Sequence, residues 1–361
     1  MFNIWPELPI VVSYYGEDEV DTDTDNIIAA LNLKGSVSKI HFTVTPSSVE
    51  WETFAAVMQD PFPMLEDFTL WSYWDMMPVI SDSFLGGSAP RLKYLWLKSV
   101  PFPKLPNLLL SATDLVRLNL WVIPHPGYIS PEAMVTCISV LTRLKSLSLA
   151  FQSPRSRPDR AGKFLPPLTR SLLPALIHLE FEGVTEYLED LVARIDVPLL
   201  EYTNITFFNH LVFDISQFPN LLRRTEIFTV LDQAVIRLRG DIISIILSPK
   251  VETVGFTRLE LVVSCRKLDW QLSAIAQVCN LCLPTLPRFG TPQHLRGSIF
   301  ITRLARRHGK HPVAGTFTSL CRCEGFIPVQ GSCATCCICL ARALRGTGDR
   351  SVACPARYFH R

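Results

Sequence analysis

Leu92-x-x-Leu95-x-Leu97-x-x-Val100 and Leu115-x-x-Leu118-x-Leu120-x-x-Ile123 are two copies of one pattern, set within residues 91–124. Leu95 and Leu97, like Leu118 and Leu120, alternate with other residues, so each pair falls on one face of a short strand. A single such strand with its apolar flanks cannot close a core. Stacking similar units does. Working outward, the pattern recurs as Val37-x-x-Ile40-x-Phe42, Leu65-x-x-Phe68-x-Leu70, Leu144-x-x-Leu147-x-Leu149 and Leu176-x-x-Leu179-x-Phe181-x-x-Val184. Leu200-x-x-Thr203-x-Ile205 is a weaker copy.

Measured at the middle position, the steps are 28, 27, 23, 29, 32 and 24 residues. Strand-plus-helix units with the leucine-rich-repeat signature run at about 20–29 residues. The longest step holds the polar, proline-broken stretch 152–167, which predicts a surface loop. The expected fold is therefore α/β: a leucine-rich-repeat solenoid (horseshoe) over residues 26–286, with parallel strands on the concave face. Helices are expected at 26–33, 51–58, 131–141 (Ser130 as cap and Pro131 in the first turn), 186–195 and 268–278. Further strands are expected at 10–15, 234–238 and 259–263. Residues 1–25 read as an N-terminal edge segment without the polar cap of a solenoid end, as if the natural protein began further upstream.

The 361 residues are 48% apolar and 19% charged, ample for a large core. The net charge of +2 hides an asymmetry. Residues 1–286 carry 23 Lys+Arg against 31 Asp+Glu, net −8, whereas residues 287–361 carry 12 against 2, net +10. Seven of the 11 cysteines also fall in that last segment. No signal-peptide pattern and no apolar run of about 18 residues is present, which excludes a membrane-span reading of the sequence. Cys137, Cys265, Cys279 and Cys282 form no disulfide framework. A reduced compartment, cytoplasmic or nuclear, is expected.

Four phrases carry a family resemblance: Ile4-Trp5-Pro6-Glu7-Leu8-Pro9-Ile10, Asp82-Ser83-Phe84-Leu85-Gly86-Gly87-Ser88-Ala89-Pro90-Arg91, Gly127-Tyr128-Ile129-Ser130-Pro131-Glu132-Ala133-Met134 and Val184-Thr185-Glu186-Tyr187-Leu188-Glu189-Asp190-Leu191. In these the chain resembles leucine-rich-repeat F-box-type proteins of mushroom-forming fungi, over roughly residues 4–286. The resemblance implies repeats that hold a substrate protein, and an F-box whose helices dock on the Skp adaptor of a cullin-type ubiquitin ligase. No F-box precedes Ile4, so Skp binding is implied only for a chain that carries one upstream.

The tail, 287–361, contains Cys321-x-Cys323 and Cys333-x-x-Cys336-Cys337-x-Cys339. Thiolates at such spacing can reach one tetrahedral zinc, and eleven arginines beside them would suit nucleic acid. The pair spacings are irregular and stacking aromatics are few, so nucleic acid is not the expected partner. A plainer reading is a disordered or out-of-frame segment. A shift of one nucleotide permits, from Arg288, a string with the L-x-x-L-x-I spacing restored, and from Thr347 an ending similar to that of family members. A truncated or frame-altered gene product without selected activity is the competing reading of the whole chain.

No G-x-S-x-G, P-loop, H-E-x-x-H or strand-linked G-x-G-x-x-G occurs, so no enzymatic activity and no cofactor are expected. Asp21, Asp23 and Asp25 imitate half of a calcium loop, but Asn26 and Asn32 stand where Gly and Glu are needed. A solvated loop with Asp25 capping the next helix is the expectation. Gly86-Gly87 reads as a turn, His125 as a surface histidine and Cys137 as a core thiol. The expected function is protein binding through the residues between the repeat leucines: Lys93, Tyr94, Trp96, Arg117, Asn119, Lys145, Ser148, His178 and Glu180. Trp96 is either the hot spot or packed against a neighbouring strand.

Overall fold

The computed structural model describes residues 8–16, 24–45, 51–73, 77–156, 158, 169–208, 216–226, 228, 231, 233–239, 242–249, 258–264 and 299–303. The chain divides into two compact units, residues 1–183 with 193–197, and residues 184–192 with 198–361.

The first unit runs β1 (Ile10–Tyr15), α1 (Thr24–Asn32), β2 (Val37–Val44), α2 (Trp51–Val57), β3 (Asp67–Ser72), β4 (Tyr94–Lys98), α3 (Leu105–Ser111), β5 (Arg117–Ile123), α4 (Pro131–Ile138), β6 (Ser146–Phe151), β7 (Ser171–Leu172) and β8 (His178–Gly183). Strands β1-β2-β3-β4-β5-β6-β8 are neighbours in that order, and each pairing is parallel. This is the α/β arrangement expected from the sequence. The repeated residues define its register: Ile40, Phe68, Leu95, Leu118, Leu147 and Leu179 stand opposite one another in turn, and so do Phe42, Leu70, Leu97, Leu120, Leu149 and Phe181. All twelve are buried. Burial of each such side chain is worth about 1.5–3 kcal/mol.

The first leucine of each copy has a separate task. Leu65, Leu92, Leu115, Leu144 and Leu176 are buried. Each donates its amide to the carbonyl three residues back, closing a turn ahead of the strand. The turns then link in series. The Glu66 carbonyl accepts the Lys93 and Tyr94 amides, Lys93 accepts those of Val116 and Arg117, Val116 those of Lys145 and Ser146, and Lys145 those of Ile177 and His178. Backbone groups that would otherwise be orphaned at the strand starts are thereby satisfied.

Helices cover the leucine face. Phe54 of α2 lies 5.2 Å from Phe42 and 5.1 Å from Tyr14, ring centre to ring centre. Ser130 caps α4 as expected, its hydroxyl accepting the Ala133 amide at 3.2 Å. Two readings change. Helix α1 begins at Thr24, so Asp25 sits inside its first turn, where a carboxylate suits the helix dipole, rather than at the cap. Helix α3 was not expected; its Pro106 lies in the first turn, where the missing N–H costs nothing.

Gly86 and Gly87 have φ of +66° and +69° in a short 3-10 turn before β4. Strand β5 carries a bulge: Leu120 pairs with Leu149 but Ile123 with Phe151, and Val122 has φ of +52°. After β8 come α5 (Thr185–Arg194) and β9 (Ile195–Asp196), which pairs in parallel with β7.

The second unit contains most of α5, then β10 (Tyr202–Phe207), α6 (Gln217–Arg224), β11 (Gln233–Arg239), β12 (Ile242–Ser248), β13 (Arg258–Ser264) and β14 (Ile299–Arg303). Here the simple parallel series ends. Strand β10 is parallel to β13, but β13, β12 and β11 are successive antiparallel neighbours, and β14 is parallel to β11. The expected strands at 234–238 and 259–263 are present, and β12 between them was missed. Its signal is a hairpin dipeptide, Gly240-Asp241, between two β-rich runs. The buried Glu189 of α5 accepts the Gln217 amide at 2.6 Å and the Phe218 amide at 3.0 Å, capping α6 from a distance in sequence. The helix expected at 268–278 and the cysteine-rich stretch 321–354 lie outside the described residues. Of segment 287–361 only β14 is described.

Candidate binding face on the parallel sheet

Alternation along each strand of the first unit sends the intervening residues to the face opposite the leucines. Parallel pairing aligns them into lines. One line is Lys39, Asp67, Tyr94, Arg117, Ser146 and His178; the next is His41, Thr69, Trp96, Asn119, Ser148 and Glu180. A third runs Thr43, Trp71, Lys98 and Trp121, with Ala150 and Glu182 paired beyond the bulge.

Three indoles from three adjacent strands meet on this face. Trp71 and Trp96 lie 4.8 Å apart at 68°, and Trp96 and Trp121 lie 6.2 Å apart at 63°. Both are edge-to-face contacts, which aromatic quadrupoles favour. Cations border the cluster. Lys98 Nζ is 4.7 Å from the Tyr73 ring centre and 5.9 Å from that of Trp71, and the Arg117 guanidinium is 5.9 Å from that of Tyr94. Tyr73, Tyr94 and Trp121 remain exposed.

The bulge in β5 aims Trp121 toward β6. Its Nε1–H donates to Ser148 Oγ at 2.9 Å, and that hydroxyl donates to Glu180 Oε2 at 2.7 Å. Ser148 is thus roofed over and only 3% exposed, not one of the open contacts expected of it. An acid at the other side of the face is paired: Lys93 Nζ is 2.9 Å from Glu66 Oε2; Asp67 Oδ2 lies 3.4 Å from His41 Nε2. Among the described residues Glu180 and Glu182 enter no ion pair. Burial of part of the Glu182 side chain pushes its carboxyl above the usual range.

The expected contact residues divide as follows. Tyr94 and Arg117 are exposed on the face; Trp96, Asn119, His178 and Glu180 are half-buried on it. Trp96 is packed between two neighbouring indoles and half-buried. Lys93 and Lys145 sit in the turns just ahead of β4 and β6, where their carbonyls carry the turn series. Sequence reasoning stopped at the last repeat leucine and so missed Trp71, Lys98, Trp121 and Glu182. Extending the alternation by one residue past Leu70, Leu97 and Leu120 finds the first three.

A cleft of about 370 Å³ opens beside α2, walled by Trp51, Ala55, Ala56, Pro78, Val79 and Phe84. Its one titratable wall residue among the described residues is Glu52, so it offers apolar surface without an acid–base pair. Cys137 is buried, and burial pushes its thiol up to about 11. Among the described residues no group of His, Cys, Asp and Glu is arranged to hold a metal ion. No described helix is long and apolar enough to cross a membrane.

A scan against protein-family models finds no match, and a search of curated proteins finds no significant relative.

Proposed function

We propose that this chain is a protein-binding scaffold of the leucine-rich-repeat type, with the indole face of its first unit as the concave contact surface. The observation that carries this reading is the trio Trp71, Trp96 and Trp121, left partly open on a sheet whose opposite face is fully covered. Large aromatic area held rigidly beside Arg and Lys is what binding hot spots are built from. The aligned leucine lines and the linked turns support a repeat architecture. By resemblance, the repeats would hold the substrate of an F-box-type ubiquitin ligase adaptor. An F-box in a longer chain would supply the Skp contact.

The test is selection of a phage-displayed random-peptide library on the purified chain, followed by rebinding to the Trp96→Ala/Arg117→Ala double variant. Loss of rebinding with an unchanged far-UV circular dichroism spectrum is expected. Rebinding at full strength to the folded variant refutes the assignment of this face.

A further inference from the structure

The charge layout of the face specifies what sort of segment it takes. Its aromatic half already holds cations: Lys98 lies over Tyr73 and Trp71, and Arg117 over Tyr94. A basic group arriving there meets like charge. The β8 end is the reverse. Glu180 and Glu182 project from one strand two residues apart, on the same face, with no ion-pair partner among the described residues. Glu180 is satisfied on one oxygen by the Ser148 hydroxyl and keeps the other for a ligand. Two carboxylates on one strand without a counter-charge among the described residues attract a cation, Glu180 being half-buried and Glu182 exposed. A ligand is therefore oriented across the strands, apolar over β3–β5 and cationic over β8.

The indoles narrow the apolar part. Their planes are inclined at 63–68° and their centres are 4.8 and 6.2 Å apart, so they form ridges with notches between them rather than one flat platform. Polyproline II advances about 3.1 Å per residue and presents ring faces without needing backbone hydrogen bonds, which suits notched aromatic surfaces. About four such residues cover the trio. From β5 to β8 is two strand spacings, about 10 Å, or about three further residues.

We propose, resting on the protein-binding reading above, that the face binds an extended proline-rich peptide segment that carries a lysine or arginine about three residues beyond its prolines. The prolines seat on Trp71, Trp96 and Trp121, and the cation seats on Glu180 and Glu182. Two anchors of different chemistry fix both direction and register of the bound chain. Such a preformed extended segment also loses little conformational entropy on binding.

The experiment is a fluorescence-anisotropy titration of the whole chain with three labelled synthetic peptides. The first has a short run of prolines followed about three residues later by arginine. The second replaces that arginine by glutamine, and the third replaces the prolines by glycine. The arginine peptide is expected to bind about tenfold more tightly than the glutamine peptide, and the glycine peptide not measurably. In the Glu180→Gln/Glu182→Gln variant, checked by thermal unfolding, the preference for arginine over glutamine vanishes. If that variant unfolds, Glu182→Gln alone and a salt titration of the wild-type preference replace it, with the preference expected to fall as salt rises. Equal affinity for arginine and glutamine peptides overturns the proposal. No binding of any proline peptide, while library-selected peptides still bind through Trp96, overturns it and leaves the wider reading standing. Failure of both peptide classes overturns both.

Discussion

Replacing Ser148 by alanine removes the link between an indole and a carboxylate. Ser148 Oγ accepts from Trp121 Nε1 at 2.9 Å and donates to Glu180 Oε2 at 2.7 Å, and the residue is 3% exposed. Without the hydroxyl, the indole N–H and one carboxylate oxygen each lose a partner. A buried donor left unsatisfied costs about 1–3 kcal/mol, and a hydrogen bond to a charged group contributes about 1.5–3 kcal/mol. Trp121 is 39% exposed and Glu180 is half-buried, so water recovers part of both. The expected net loss is about 1–2 kcal/mol. Trp121→Phe deletes the donor together with part of the ring that packs on Trp96. In its background, Ser148→Ala should cost less, with a coupling of about 0.5–1 kcal/mol. Urea unfolding of the four chains of this cycle, followed by far-UV circular dichroism, measures it. A loss below about 0.3 kcal/mol for Ser148→Ala, together with zero coupling, would show that the relay does not exist and that the bulge at Val122 does not aim Trp121.

Gly86→Ala should lower the melting temperature far more than Gly87→Ala. Both have positive φ, but a Cβ on Gly86 would lie 2.7 Å from Pro61 N, while the nearest atom to one on Gly87 is Asp82 O at 3.7 Å. The first change adds a backbone clash to a strain of about 1–2 kcal/mol, and the second adds the strain alone; equal shifts would refute the packing of this turn on Pro61. Cys137, its thiol pushed up to about 11 by burial, should resist iodoacetamide at neutral pH until the chain is unfolded. Mass spectrometry of the peptide containing it reads this directly, and rapid native labelling would contradict its burial. Glu182 has its folded-state carboxyl raised by desolvation, so the folded state favours its protonated form. That contribution is present at acid pH and is lost as pH rises through the raised value. Glu182→Gln should therefore stabilise slightly at neutral pH and not at acid pH. The effect is small because the side chain keeps solvent access, and a stabilisation that is equal at both pH values would argue against it.

The repeat copies determined the first unit almost alone. Spacing of Leu95, Leu97, Leu118 and Leu120 specifies strand, face and register, because side-chain period and parallel pairing leave no other way to bury them together. Ser130 followed by Pro131 likewise specified the start of α4. Alternation also placed Tyr94, Trp96, Arg117 and Asn119 together on the face opposite the leucines, without any knowledge of what they touch. Only tertiary structure decided the rest. That Trp71, Trp96 and Trp121 form one cluster depends on strands separated by more than twenty residues coming side by side. That Ser148 is roofed depends on a bulge at Val122, where a β-branched residue takes a positive φ that no local pattern announces. The antiparallel turn of β11, β12 and β13 and the capping of α6 by Glu189 are likewise long-range choices, set by which strand edges and orphaned amides the rest of the chain leaves to be satisfied.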